Sequence, residues 1–532
     1  MPRGPAPYAP LSATRRELLR AAAVLGASWL VPSAARAAVA SATGRVRFIA
    51  PPFALGVASG YPTPDGFTLW TRLAPAPFEE DGGMDAAAVP VRWQVSEDER
   101  FGRVVAEGTE VTHAGLSHSL HVDVSGLRPA RWYWYRFMAG DEISPVGRTR
   151  TAPAPDSTPR SLALAFASCQ DYEHGYYAAY RHMRDEDLDL VAFLGDYIYE
   201  STWGSTLVRR HAPAGESRSL AEYRVRHAQY KTDPDLQAIH GATPWICTWD
   251  DHEVSNDYAD DQSERLEPAF LARRAAAYQA YFEHMPLPVR MAPVGPSARI
   301  YTTVDFGTLA RFYLLDDRQY RSHQACQRPG RGGSSVVGLD CKELEDPART
   351  LLGADQEAWL AARFAESRAR WNVIAQQSLF SFFDNQQGPG ETVWTDAWSG
   401  YPAARRRLLD ALQRAGTRNP VVIGGDIHAN VVANVHLDAR DPASPVVAAE
   451  VCGTSITSEG RPTASFWGPL RADNPHVLFA DGDRRGYATL RLDAKRCRVA
   501  LRVVHDVHAR DTGIETAAAF EVEDGRPGIR PA

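Results

Sequence analysis

From residue 161 onward, short apolar runs alternate with Arg/Glu/Ala-rich segments of helical periodicity, and five of the apolar runs end in side chains able to ligate a metal. Leu162–Ala167 runs into Ser168-Cys169-Gln170, Leu188–Leu194 into Gly195-Asp196-Tyr197-Ile198-Tyr199, and Pro244–Trp249 into Asp250-Asp251-His252-Glu253. Val373–Ala375 runs into Gln376-Gln377, and Val421–Ile423 into Gly424-Gly425-Asp426-Ile427-His428. With helical stretches at 218–230, 264–284, 355–370 and 402–415, this alternation predicts an α/β domain. In open α/β sheets, ligands bind at the carboxyl ends of the strands. One polar ending is an ordinary turn, but five on one sheet edge gather Cys, Asp, Tyr, Gln and His and predict a metal centre.

The region before it reads differently. Phe67–Thr71, Val91–Val95, His121–Val124 and Trp132–Phe137 alternate with period two, and Gly126-Leu127-Arg128-Pro129 punctuates them as a turn. Short strands without helices predict a β-sandwich over 48–152, joined by the linker Thr151–Pro155 to a catalytic domain over 161–525. Hydrophobic residues make up 44% of the 532 and charged residues 23%, so disorder, collagen and coiled coil are excluded. The formal charge of -7 gives no basic surface for structured nucleic acid. Only Lys231, Lys342 and Lys495 are lysines, a skew read as coding bias.

Residues 1–37 read as an address. Arg15-Arg16 precedes an apolar run from Ala21 to Val31, and Ala35-Arg36-Ala37 supplies a small-x-small cleavage pattern. The run is too short to span a bilayer, which takes about 20 residues. The arginine pair resembles a twin-arginine (Tat) signal, implying a passage through the twin-arginine translocase to the periplasm or the extracellular space. No other segment is long and apolar enough to be transmembrane. Removing 1–37 takes away five arginines and one glutamate, which leaves the mature chain near -11. In an oxidising compartment Cys326 and Cys341, in a Gly-rich polar loop, are expected to pair. Cys247 and Cys452 read as buried thiols, and Cys497 stays open.

The strand endings carry a resemblance. Gly195-Asp196-x-x-Tyr199 matches G-D-x-x-Y, and Asp250-Asp251-His252-Glu253 stands where metallophosphoesterases have G-N-H-E. Val373-Ile374-Ala375-Gln376 resembles V-x-x-H, Gly425-Asp426-Ile427-His428 resembles G-H-x-H, and Cys169 takes the place of the first carboxylate. These departures form the set typical of the PhoD-type alkaline phosphatases, which the chain resembles over 48–525. The resemblance implies a layered αββα sandwich preceded by a small fibronectin-III-like β-sandwich. Tyr61 stands where related chains usually carry an acidic residue, a departure that bears on a domain-interface contact.

In the arrangement the resemblance implies, one metal takes Cys169, Asp196, Tyr199 and His428, a set of thiolate, phenolate, imidazole and carboxylate that suits a ferric ion, Fe3+. The other takes Asp196 as a bridge with Asp251, Gln376 and Asp426, oxygen donors that suit calcium, Ca2+. Gln377 competes with Gln376, Asp250 with Asp251, and Asn256 is placed to complete the calcium shell. His252 would cap its loop, or contact the phosphate or protonate the leaving alkoxide, and Arg318 would either neutralise phosphate oxygens or be a surface or salt-bridged arginine. The expected activity is hydrolysis of a phosphoester by a metal-activated water. The rivals are a phospholipase D-like phosphodiesterase of the same fold and an exported metal-binding protein without turnover. No G-x-S-x-G elbow, Walker A loop or H-E-x-x-H occurs. Residues 508–532 lack helical periodicity, so no lid helix is expected there.

Overall fold

The parallel strands named above are apolar on both faces, as strands covered on both sides must be. In the computed structural model they divide between two sheets. The structure describes residues 47–532 apart from Pro442, so the signal expected over 1–37 lies outside the described residues. Ser161–Ala167, Leu190–Leu194 and Trp245–Thr248 run parallel at the centre of a ten-stranded sheet. Ala310–Leu314, Trp371–Ala375, Pro420–Gly424 and Val446–Cys452 run parallel within a seven-stranded one.

Alternation along the strands assigns the faces. Val373, Ala375, Val421 and Ile423 join a core cluster with Leu164, Val191 and Ile246 of the larger sheet. Ile374 and Val422 point the other way, into a cluster with Leu360 and Phe364 of the helix Gly353–Glu366 and Leu408 and Leu412 of Pro402–Ala415. The helices Leu220–Lys231, Pro234–Ala242 and Phe270–His284 send Tyr230, Ile239 and Tyr281 into the first cluster. Each fully buried Val, Leu or Ile contributes about 1.5–3 kcal/mol.

The N-terminal strands appear where their periodicity predicts, but they do not stay together. Val89–Ser96, Val104–Thr112 and Trp132–Ala139 form a separate small sheet with Glu142–Ile143 and Gly147–Arg150. Val57–Thr63, Gly66–Arg72 and Ser119–Val124 instead extend the ten-stranded sheet, with Gly60 opposite Trp245 in parallel pairing. Tyr61 seals this junction: its hydroxyl donates to Cys247 O at 2.7 Å and accepts from Cys247 N at 3.2 Å. Phe48–Ala532 is one compact unit.

The C-terminal residues form no lid helix. Ile514–Glu523 and Arg530–Pro531 are strands at the other end of the ten-stranded sheet. Cys326 and Cys341 are joined by a disulfide, while Cys169, Cys247, Cys452 and Cys497 are buried thiols. Among the described residues no helix is long and apolar enough to cross a membrane.

Candidate metal centre

The loops that follow these strands turn sharply to aim side chains across the seam between the sheets. Cys169, Asp196, Asp426 and His428 all hold left-handed backbone, with φ of 58°, 56°, 67° and 53°. Such geometry costs about 1–3 kcal/mol per non-glycine residue and persists only where the surroundings enforce it. Glu253 supplies much of the enforcement. Its buried carboxylate accepts from Asp196 N at 3.1 Å, Tyr197 N at 2.6 Å and Asp250 N at 2.8 Å, tying two strand ends together. Gly195, at φ 107°, lies so close to Asp250 that a Cβ there would meet that residue's Cβ at 2.4 Å.

The first group of donors is closed. Donor atoms of Cys169, Asp196 and His428 lie within 4.8 Å of one another. The Tyr199 hydroxyl is 3.1 Å from Asp196 Oδ2 and 3.2 Å from His428 Nε2. His428 Nδ1 donates to the Glu459 carbonyl at 2.6 Å, which leaves Nε2 with its lone pair facing the group. Burial, with Asp196 nearby, pushes the Cys169 thiol and the Tyr199 phenol upward, and burial drives the His428 imidazole down to about 3. Burial keeps the thiol and phenol neutral unless a cation takes the place of their protons, and a thiolate–phenolate–imidazole–carboxylate set would then suit ferric iron.

Beside it lie only oxygens. Asp250, Asp251 and Asp426 approach within 4.8 Å, and Asp251 also groups with Asp196. Burial raises the carboxyls of Asp196 and Asp426, and it raises that of Asp250 to about 6 even beside Arg318. Asp251 overcomes burial through the charges of Arg318 and His252 and stays well below the usual range. Asp251 faces the cleft while Asp250 receives the Arg318 Nε hydrogen bond beneath it, so the geometry favours Asp251. Asn256 also lines the cleft, and these oxygens suit calcium.

Two expected participants are elsewhere. Arg318 is fully buried and does not reach the cleft. Besides Asp250, its Nη1 is 2.7 Å from Asp396, and its Nη2 is 3.7 Å from Asp251 and 4.0 Å from Asp426. Four buried carboxylates require a counter-charge, and Arg318 supplies it from below rather than clamping phosphate. Gln376 is spent on its own loop. Its amide nitrogen donates to Ser378 O, and its oxygen accepts from Ser378 N and Trp398 Nε1, each at 3.0 Å. Gln377 is equally committed, to Thr248, Trp249, Leu315 and Asp317. Ser378, which the sequence did not single out, reaches the cluster instead, its hydroxyl donating to Asp426 at 2.6 Å.

His252 is half-buried on the cleft, its ring against Tyr199 at 4.1 Å between centroids. Its Nδ1 is 2.7 Å from Glu200 Oε2, and Glu200 also accepts from Asn256 N at 2.9 Å. Burial alone would lower this imidazole, but Glu200, Asp251 and Asp196 raise it well above its ordinary value. Glu200 directly follows G-D-x-x-Y, which is the signal that marks it. A further buried grouping, Asp171, Glu173 and His211, is accounted for by protons. The Tyr230 hydroxyl accepts from Tyr172 N and Tyr199 N, so its own proton goes to His211 Nε2 at 3.0 Å. His211 therefore carries its proton on Nδ1, 3.1 Å from Glu173.

The cleft above the cluster holds about 650 Å³. Asp196, Asp251, His252, Asp426 and His428 form its floor.

Residues 164–501 match the PhoD-like phosphatase family and residues 38–153 the PhoD-like phosphatase N-terminal domain. Alkaline phosphatase D of Bacillus subtilis (strain 168) is 44% identical over 490 residues, which covers 90% of this chain and 82% of that protein. The solved structure of PhoD superposes with a TM-score of 0.87 at 43% identity, covering 92% of this chain and 93% of that one. The chain is thus a phosphoric ester hydrolase, and it belongs to the PhoD-like phosphatase family.

Proposed function

We infer that the chain is an exported phosphoester hydrolase whose two cation sites are iron at Cys169, Asp196, Tyr199 and His428, and calcium at Asp196, Asp251 and Asp426 with Asn256 beside them. The observation that carries this reading is the convergence of thiol, phenol, imidazole and carboxylate from two different sheets, next to a group made only of oxygens. When bound, the cations supply Lewis acidity toward phosphate oxygens and toward water. The chain's own residues do the rest. Asp196 belongs to both groups and holds them at one spacing. Water oxygen bonds to phosphorus as the bond to the ester oxygen breaks; the departing alkoxide takes the proton of His252 Nε2, the nitrogen that Glu200 leaves free, and the proton the water sheds passes to solvent, from which His252 is reprotonated. Glu200 orients that ring and is a positioning residue.

The fold reading that accompanies it is a helix–sheet–sheet–helix sandwich, supported by the core shared between the sheets. Export rests on Arg15-Arg16 and the segment that follows, and Arg15→Lys with Arg16→Lys would retain the protein in the cytoplasm. A diester is favoured over a small monoester by the size of the cleft.

The test is hydrolysis of bis(p-nitrophenyl) phosphate and of the monoester by the mature chain, before and after calcium chelation, with metal content measured in parallel. Chelator-sensitive turnover with one iron per chain is the expected result. A loaded protein that turns over neither ester would leave a metal-binding protein.

A further inference from the structure

The cleft has two unlike halves. Besides the ligand floor, the cleft is lined by the apolar residues Leu379, Phe383, Trp394, Ile427, Phe466 and Trp467, which form a wall. Four of the six wall residues lie close in sequence to floor residues or their hydrogen-bond partners. Ile427 lies between Asp426 and His428, and Leu379 follows Ser378, whose hydroxyl donates to Asp426 at 2.6 Å. Phe466 and Trp467 come shortly after Glu459, whose carbonyl accepts from His428 Nδ1 at 2.6 Å. The back of the wall is core, with Leu379, Phe383 and Trp467 buried among Ala429, Val431 and Cys452. Its front, Trp394, Ile427 and Phe466, is half-buried and open to the cleft.

The rings interlock edge to face. Phe383 and Trp467 are 5.3 Å apart at 61°, and Phe466 and Trp467 are 5.0 Å apart at 90°. The Arg461 guanidinium sits 4.5 Å from the Phe466 centroid. A phosphorus held at the floor would have this wall within the same cleft for one of its ester groups. A polyol there would lose water hydrogen bonds without replacement, at a cost of about 1–3 kcal/mol per group. A planar ring would gain edge and face contacts worth about 0.5–1.5 kcal/mol beyond the area it buries. The cleft volume suits one ring-bearing arm rather than the paired chains of a diacyl lipid.

We propose that this wall is a subsite for the aromatic or heteroaromatic ester arm of a phosphodiester, retained on the phosphorus while the other arm leaves. The assignment rests on the hydrolase reading above and adds the substrate class to it.

Three diesters with one leaving group test it: methyl, hexyl and phenyl p-nitrophenyl phosphate. The expected KM for the phenyl ester is about tenfold below that for the methyl ester, with kcat similar, because a ring contact of this kind amounts to about 1.4 kcal/mol. Phe466→Ala and Trp394→Ala should collapse that preference toward one. Phe466→Leu, which keeps apolar volume without a ring, should do the same in a protein that folds normally. Equal KM for phenyl and methyl, or a hexyl ester bound as well as the phenyl one, overturns the proposal. If no ester turns over, the hydrolase reading fails on its own. Calorimetric binding of diphenyl against dimethyl phosphate to the metal-loaded protein still decides the subsite, with equal affinity overturning it.

Discussion

Glu253 does for the cluster what no ligand can do for itself. The left-handed turns at Asp196 and at its neighbours store strain, and the Glu253 carboxylate caps the backbone of both loops that carry Asp196 and Asp251. Glu253→Ala leaves three buried N–H groups without acceptors, at about 1–3 kcal/mol each, so urea unfolding should show a loss of several kcal/mol and bound metal should fall with it. Glu253→Gln keeps one acceptor oxygen and should fall between. His252→Ala should slow esters of alkyl alcohols by about 10²–10⁴-fold while p-nitrophenyl esters lose far less, since nitrophenolate leaves without a proton. A uniform loss across leaving groups would remove His252 from the proton-transfer role. At this scale the sequence was readable where a strand end and a motif coincide: Cys169, Asp196, Tyr199 and His428 are together as expected. It left Gln376 against Gln377 and the two readings of Arg318 open, because spacing identifies the loop but not the side of the loop on which a side chain lands. Glu200 and Ser378 act through hydrogen bonds that no spacing rule encodes.

The helix Leu220–Lys231 begins with a reciprocal cap, the Ser219 hydroxyl accepting from Glu222 N and the Glu222 carboxylate accepting from Ser219 N. It ends on Lys231, whose ammonium is buried 4.2 Å from the Trp70 ring centroid, so this one helix joins the catalytic half to the strand Gly66–Arg72. Burial lowers Lys231 to about 7, against 10.5 for an ordinary lysine. Between those values the unfolded chain binds more protons than the folded one, so this group makes stability rise with pH up to about 10.5 and withdraws it as pH falls through 7. Lys231→Met should therefore stabilise the protein at pH 7 and flatten the difference between urea midpoints at pH 7 and pH 10. An unchanged pH dependence would show that the lysine is not titrating there. The helix at 402–415 was visible in periodicity because Ala404, Leu408 and Leu412 repeat along one face. The pairing of Val57–Thr63 with Trp245–Thr248 was not, since partners nearly two hundred residues apart leave no local trace.

Seen as a whole, the molecule places its cluster on a seam. Cys169, Asp196 and Asp251 follow strands of the ten-stranded sheet, and Asp426 and His428 follow a strand of the seven-stranded one. Bound cations would therefore hold the two sheets together, and a ligand present at 100 times its Kd adds about 2.7 kcal/mol to the folded state. Stripping the metals should lower the thermal midpoint and speed proteolysis, whereas an unchanged midpoint would show that the metals do not bind the folded chain in preference to the unfolded one. The α/β alternation of 161–525 was legible because each strand is a continuous apolar run. The period-two strands of 48–152 were legible too, but their partition between two sheets depends on Gly60 meeting Trp245 and on the Tyr61 hydroxyl meeting Cys247. That junction has a consequence for domain exchange. Residues 48–152 cannot be exchanged for a relative's without matching the edge of a strand that runs directly into Asp250, and an orphaned edge invites pairing with another copy. An exchange of residues 48–152 therefore has to bring its own Gly60 and Tyr61 contacts to the catalytic half.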